Sequence, residues 1–167
     1  RGDTTLTYFE FATLSAFYLF SKSNLDVAVL EVGLGGRLDA TNIVDSDISI
    51  ITSIGIDHTE FLGNTIDSIA LEKAGVMRPF KKCIYAQEKP PAAILKYAKN
   101  KSVNLLIHNN DYQVNLGISN WTLKSKHKFI KEIPNLKMVG DYQYNYAAAS
   151  LLALNEILPE CLEDHNV

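Results

Sequence analysis

Glu31, His58 and Lys73 are the side chains whose types and settings could do chemistry. Glu31 sits among Val27, Val29, Leu30 and Val32 in the apolar run "DVAVLEV" (residues 26–32). A carboxylate in a buried strand is costly unless it is neutralised, paired or bound to a cation. A salt bridge to Arg37 would satisfy it, and so would a metal. His58 follows Asp57 in "TSIGIDHTEFLG", just beyond a second apolar run, "DISIITSIG" (residues 47–55). If both runs are parallel strands, Glu31 and His58 emerge at one carboxyl edge, where open α/β sheets bind ligands. A carboxylate and an imidazole with open positions suit magnesium or manganese held mainly by substrate phosphates. The plainer alternative for His58 is an ordinary loop residue. Asp57 either orients His58 or caps the following turn.

Lys73 is out of place. Ile66, Ile69, Ala70 and Lys73 fall at i, i+3, i+4 and i+7 of "TIDSIALEKAGVM", the stripe that faces the core of a helix. A lysine there either snorkels or is functional. Desolvation leaves some of it as neutral amine. Such an amine beside a divalent cation can take up carbon dioxide as a carbamate.

The turn Gly33-Leu34-Gly35-Gly36 follows a strand pattern, as a dinucleotide fingerprint should. Position 38 is leucine rather than the third glycine, and "RLDATN" behind it has turn chemistry rather than a helix pattern. The glycines are read as turn formers that supply positive φ.

These groups need a scaffold, and the periodicities supply one. "TYFEFATLSAFYLF" is a helix that is apolar nearly all round and is therefore expected to be buried, with Thr7 and Glu10 at capping-box spacing. Residues 26–32 and 47–55 read as strands covered on both faces. The helix that carries Lys73 begins at Asn64 or Thr65 and stops at Gly75 and Pro79. "KCIYAQ" and "VNLLIH" are further strands, with "PPAAILKYAKN" a helix between them that opens on prolines. Strand and helix alternate, so the fold class is α/β, with a mostly parallel sheet flanked by helices. "YQVNL", "NWTLKS" and "KFIKEI" form a small antiparallel meander. A last helix, "GDYQYNYAAASLLALNEIL", has Asp141 at its N-cap. The 167 residues read as a single domain.

Composition narrows the function classes. The chain is 47% apolar, enough for a sizeable core, and its net charge of −3 offers no general attraction to nucleic acid or anionic membrane. Lys124, Lys126, Lys128 and Lys131 read as a solvated face. Cys83 and Cys161 form no C-x-x-C pair, which speaks against zinc or dithiol redox chemistry and suits a reducing cytoplasm. No run approaches a membrane helix.

Three blocks in order, "LTYFEFATLSAFYLF", "LEVGLGGRLDATN" and "TSIGIDHTEFLG…SIALEKAG", resemble the folylpolyglutamate synthase and dihydrofolate synthase family of the Mur ligase superfamily. The match is strong from Leu6 to about Pro79. "YQYNYAAASLLAL" resembles the family's Q-x-N-A-type helix more loosely, and the meander only in texture. The resemblance implies that Glu31 and His58 ligate magnesium and that Lys73 is carbamylated near the ATP γ-phosphate. It also implies that Thr7, Phe9, Asp39 and Ala40 line a pterin pocket, and that Gln143 and Asn145 lie on the adenine side. The glycine-rich loop would then turn the chain after a metal-ligand glutamate and present Asp39 to substrate.

The implied reaction is ATP-dependent. A substrate carboxylate takes the γ-phosphate to give an acyl phosphate, and the amine of L-glutamate displaces phosphate to form an amide. Dihydropteroate, folate or both would be the acid. The family's phosphate-binding loop, of G-x-x-G-K-[ST] type, does not occur in the sequence. The chain is accordingly expected to be a central-domain fragment, inactive by itself, whose partners are the rest of a monomeric ligase and its small-molecule substrates. The rival readings are a non-catalytic pterin-binding or assembly module and a nicotinamide-dependent oxidoreductase built on Gly33 to Gly36.

Overall fold

The computed structural model describes residues 3–162. Its centre is a three-stranded parallel sheet in the order β1 (Ile48–Ile51), β2 (Lys82–Tyr85), β3 (Asn104–Ile107). Ile48, Lys82 and Asn104 stand in register at one end, and Ile51, Tyr85 and Ile107 at the other. The strands follow one another in sequence, with helices α3 (Ile66–Ala74) and α4 (Ala92–Asn100) in the two crossovers. This is the α/β arrangement that the alternating pattern predicts.

The alternation of β2 divides the core into two layers. Cys83 and Tyr85 point to one face and pack with Ile51 of β1, Ala70 and Ala74 of α3, Met77 just beyond it, and Ile94 and Ala98 of α4. Ile84 points to the other face, into a cluster built on Trp121, Leu123, Ala148, Ala149 and Leu152. Those residues come from helix α5 (Tyr142–Ile157) and from the antiparallel meander β4 (Tyr112–Leu116), β5 (Asn120–Ser125), β6 (Phe129–Pro134). The meander and α5 therefore cover the face of the parallel sheet that α3 and α4 leave free.

The predicted caps hold in part. In α1 (Tyr8–Ser21), Thr7 and Glu10 form a full capping box. Thr65, one of the two candidates, caps α3 through its hydroxyl. Asp141 occupies the N-cap position of α5, but its side chain makes no capping bond.

Two expectations fail, both on the N-terminal side. Residues 26–32 form no strand: their backbone pairs with none among the described residues, and Val29 is 89% exposed. β-branched residues favour the extended state, but a strand exists only where a neighbour accepts its hydrogen bonds. Glu31 is accordingly exposed rather than buried. Helix α1 forms but is not enclosed, since Thr13 is its sole buried residue and Phe11, Leu14, Tyr18 and Leu19 face outward. One side of α1 packs on the short 3₁₀ turn Ala40–Ile43.

Candidate functional site

The segment after Glu31 is held by its own acid. The Asp39 carboxylate accepts from the amides of Gly33 (3.0 Å), Leu34 (3.3 Å) and Thr41 (2.8 Å), and from the Thr41 hydroxyl (2.6 Å). Partial burial works to raise its pKa, but bonds from the Thr41 hydroxyl and amide and from the Leu34 and Gly33 amides prevail. The net effect holds the group below the usual carboxylate range. Asp39 thus closes the glycine turn onto the 3₁₀ turn that it caps. A Cβ on Gly33 would lie 3.2 Å from the ring of Phe9, so the ring would have to give by a few tenths of an ångström.

This closed loop docks on the C-terminal turn of α3. The Arg37 amide donates to the Glu72 carbonyl at 2.8 Å, and its guanidinium donates to Glu72 Oε1 through Nε at 3.1 Å and Nη2 at 2.9 Å. Arg37 therefore pairs with Glu72 rather than with Glu31. The approach is close: a Cβ on Gly75 would stand 2.4 Å from Arg37 Cα. Asn42 Nδ2 donates to the Gly75 carbonyl at 3.0 Å, and Arg78 reaches back from beyond the helix to the loop.

The docking opens a cleft of about 340 Å³ between α1 and the loop. Leu6, Glu10, Thr13 and Leu14 line one wall, and Arg37 to Ala40 with Asn42 and Ile43 line the other. Of the residues expected on a substrate pocket, Asp39 and Ala40 line this cleft. Phe9 and Thr7 do not line it, and the ring of Phe9 lies against Gly33 instead. The Thr7 hydroxyl is engaged in the capping box of α1 and accepts from the Glu10 amide at 3.2 Å.

The three groups expected at a metal sit in unlike settings. Glu31 is exposed on the unpaired segment. His58 is exposed, adopts a left-handed conformation (φ 50°) and precedes the short helix α2 (Thr59–Leu62). Asp57 braces it: its Oδ1 accepts from the His58 amide at 2.7 Å, and its Oδ2 lies 3.6 Å from the ring Nε2. Asp57 is thus a brace for His58 rather than the cap of α2. Lys73 is half-buried in the last turn of α3, where a cation is favoured by the helix dipole. Among the described residues its ammonium makes no ion pair, while the adjacent Glu72 is taken by Arg37. No group of three or more His, Cys, Asp or Glu side chains among the described residues could hold a metal. An ion here would have to be shared between side chains and other oxygen donors. A carboxylate and a carbamate on Lys73 would supply hard oxygen donors for magnesium or manganese, with the His58 imidazole a borderline nitrogen donor beside them.

On α5, Gln143 and Asn145 are both half-buried. Being two residues apart, they leave the helix on different sides.

Arg78 is the side chain fastened to this loop that the sequence reading passes over. Its signal was a cation just past the end of a helix, where free carbonyls collect.

A model of the Mur ligase middle domain matches residues 2–154. The chain belongs to that family. Its curated relatives include the dihydrofolate synthase/folylpolyglutamate synthase of Escherichia coli K12, 44% identical over 153 residues. That match spans 92% of this chain and 36% of the relative, so the chain corresponds to about a third of the length of such a protein. Among solved structures, E. coli FolC in complex with DHPP and ADP superposes with a TM-score of 0.86 at 43% identity, covering 94% of this chain and 37% of that one. The Yersinia pestis bifunctional enzyme complexed with AMPPNP and a Mn ion gives 0.84 at 41%, with the same coverage. Among the described residues no helix is long and apolar enough to cross a membrane.

Proposed function

We propose that this chain is the central ATPase-type part, a single domain, of a cytoplasmic, monomeric ligase that joins L-glutamate to dihydropteroate, folate or both. The observation that carries this reading is the joint anchoring of two motif blocks. The loop of "RLDATN" lines the cleft beside α1, and the same loop is bonded to the turn of α3 that bears Lys73. A pterin acid in that cleft and a phosphate near Lys73 would share one rigid support.

Each residue then has a task. Phe9 and Ala40 offer apolar surface to a flat heterocycle. Asp39, held ionised by its four donors, keeps the loop closed while its outer edge meets the substrate. Thr7 fixes the first turn of α1, from which Glu10 lines the cleft. Glu31, His58 and a Lys73 carbamate would hold magnesium or manganese, which supplies charge neutralisation on phosphate oxygens during phosphoryl transfer. Asp57 keeps His58 in its left-handed position. Gln143 and Asn145 at the start of α5 would meet the adenine side of ATP. The bonds exchanged are those of an acyl-phosphate ligase. The carboxylate oxygen takes the γ-phosphoryl group with loss of ADP, and the glutamate nitrogen then takes the acyl group with loss of phosphate.

The test is turnover by the complete ligase that includes this chain. Steady-state formation of ADP should require both the pterin acid and glutamate, while a single turnover of ADP should require the pterin acid alone. His58→Ala and Lys73→Met should abolish it while leaving part of the pterin binding. Near-normal rates in either variant would overturn the assignment, and pterin binding without any ATP turnover in the unaltered protein would favour a binding module. A carbamate mass increment on Lys73 in bicarbonate and magnesium tests its modification.

A further inference from the structure

Arg78 has no part in the reaction just described, yet it is the most heavily engaged side chain beside the site. Its side chain is 15% exposed. Nη1 donates to the carbonyls of Gly75 and Val76, both at 3.2 Å, at the C-terminal end of α3. Nη2 donates to the Asn42 carbonyl (2.8 Å), to Asn42 Oδ1 (2.9 Å) and to the Val44 carbonyl (3.0 Å). Nε donates to the Asp45 carboxylate. Every N–H of the guanidinium therefore has an acceptor, and those acceptors belong to two different segments.

One half of the fork satisfies carbonyls at a helix end that carries partial negative charge. The other half grips the exit of the cleft loop. Arg37 and Glu72 fasten the entrance of the same loop to the same turn. Leu38, Asp39 and Ala40 lie between the two fastenings and form a wall of the cleft. Lys73 lies within the turn to which both are attached. We propose that Arg78 is a positioning residue: it sets the pterin-facing loop at a fixed distance from Lys73, so that the acid's carboxylate meets the phosphate without a search. The inference rests on the ligase reading above. Geometry of this kind affects rate and substrate affinity steeply, because small misplacement of reacting groups is costly.

A lysine at position 78 keeps the charge but has three donors on a single nitrogen, so it cannot span both segments. In the complete ligase, Arg78→Lys should raise KM for the pterin acid by about tenfold while KM for ATP stays within about twofold. Thermal melts of the same samples show whether the fold is kept. A folded Arg78→Lys with unchanged pterin KM, or with both KM values raised alike, overturns the proposal. If Arg78→Lys does not fold, Asp45→Ala takes its place, because it removes a single well-exposed partner. It should produce the same split at about threefold, and no split overturns the proposal equally.

Amide exchange at Thr41 and Asn42 reads the clamp without substrate. Faster exchange there in Arg78→Lys supports it, and unchanged exchange refutes it. An unaltered ligase that turns over no pterin acid refutes the ligase reading and the substrate role of Arg78 together. The exchange result then decides the clamp alone.

Discussion

Replacing Asp39 by alanine should open the loop that forms one wall of the cleft. The carboxylate accepts four hydrogen bonds, from Gly33, Leu34 and the amide and hydroxyl of Thr41. Bonds to a charged acceptor are each worth roughly 1.5–3 kcal/mol when shielded. They are not additive, and this carboxylate is only half-buried. A net loss of about 2 kcal/mol is therefore the appropriate scale, equivalent to roughly a thirtyfold rise in loop opening. Hydrogen exchange reads this directly: the Gly33, Leu34 and Thr41 amides should lose about thirtyfold in protection, while Ile84 and Leu123 in the core do not change. Asp39→Asn keeps one acceptor oxygen and should fall between. Acid tests the same bonds without mutation. Because the folded group titrates below its unfolded value, its contribution is complete above pH 3.8 and is lost as pH falls through the depressed folded value. Equal protection in Asp39→Ala and the unaltered chain would show that the glycine turn holds itself and that Asp39 has another role.

Further outcomes can be checked on the same protein. His108 is buried at the end of β3 with neither ring nitrogen bonded. Burial lowers its pKa from 6.5 against the opposing pull of Glu88, so the unfolded chain takes up the proton first. Stability should decline as pH falls from 6.5 toward the depressed folded value, and His108→Leu should remove that slope in thermal melts. Gly75→Ala drives a Cβ to 2.4 Å from Arg37 Cα, and should cost about 1–3 kcal/mol in urea melts while parting the loop from α3. Trp121, 1% exposed with its indole N–H on the Pro134 carbonyl, anchors the meander, and Trp121→Ala should cost about 3–5 kcal/mol by denaturant titration.

Local pattern determined the elements that carry their own partners. The Thr7–Glu10 box, the Thr65 cap and the helix that bears Lys73 depend on spacing within one segment, and each forms where the pattern puts it, whereas the expected strand 47–55 pairs only over Ile48–Ile51. Burial is different, because it depends on what lies alongside. The run 26–32 has strand composition but no pairing strand among the described residues, so Glu31 lies in the open. Helix α1 is apolar all round yet covered on one side only. Ion-pair choice is likewise a tertiary matter. Glu31 and Arg37 are near in sequence, but the docked loop turns Arg37 to Glu72, 35 residues away. Beyond a cation just past a helix end, the two-sided grip of Arg78 has no sequence signature. Its acceptors are mostly backbone carbonyls, which every residue possesses, and only the folded chain brings those of Asn42, Val44, Gly75 and Val76 to one guanidinium.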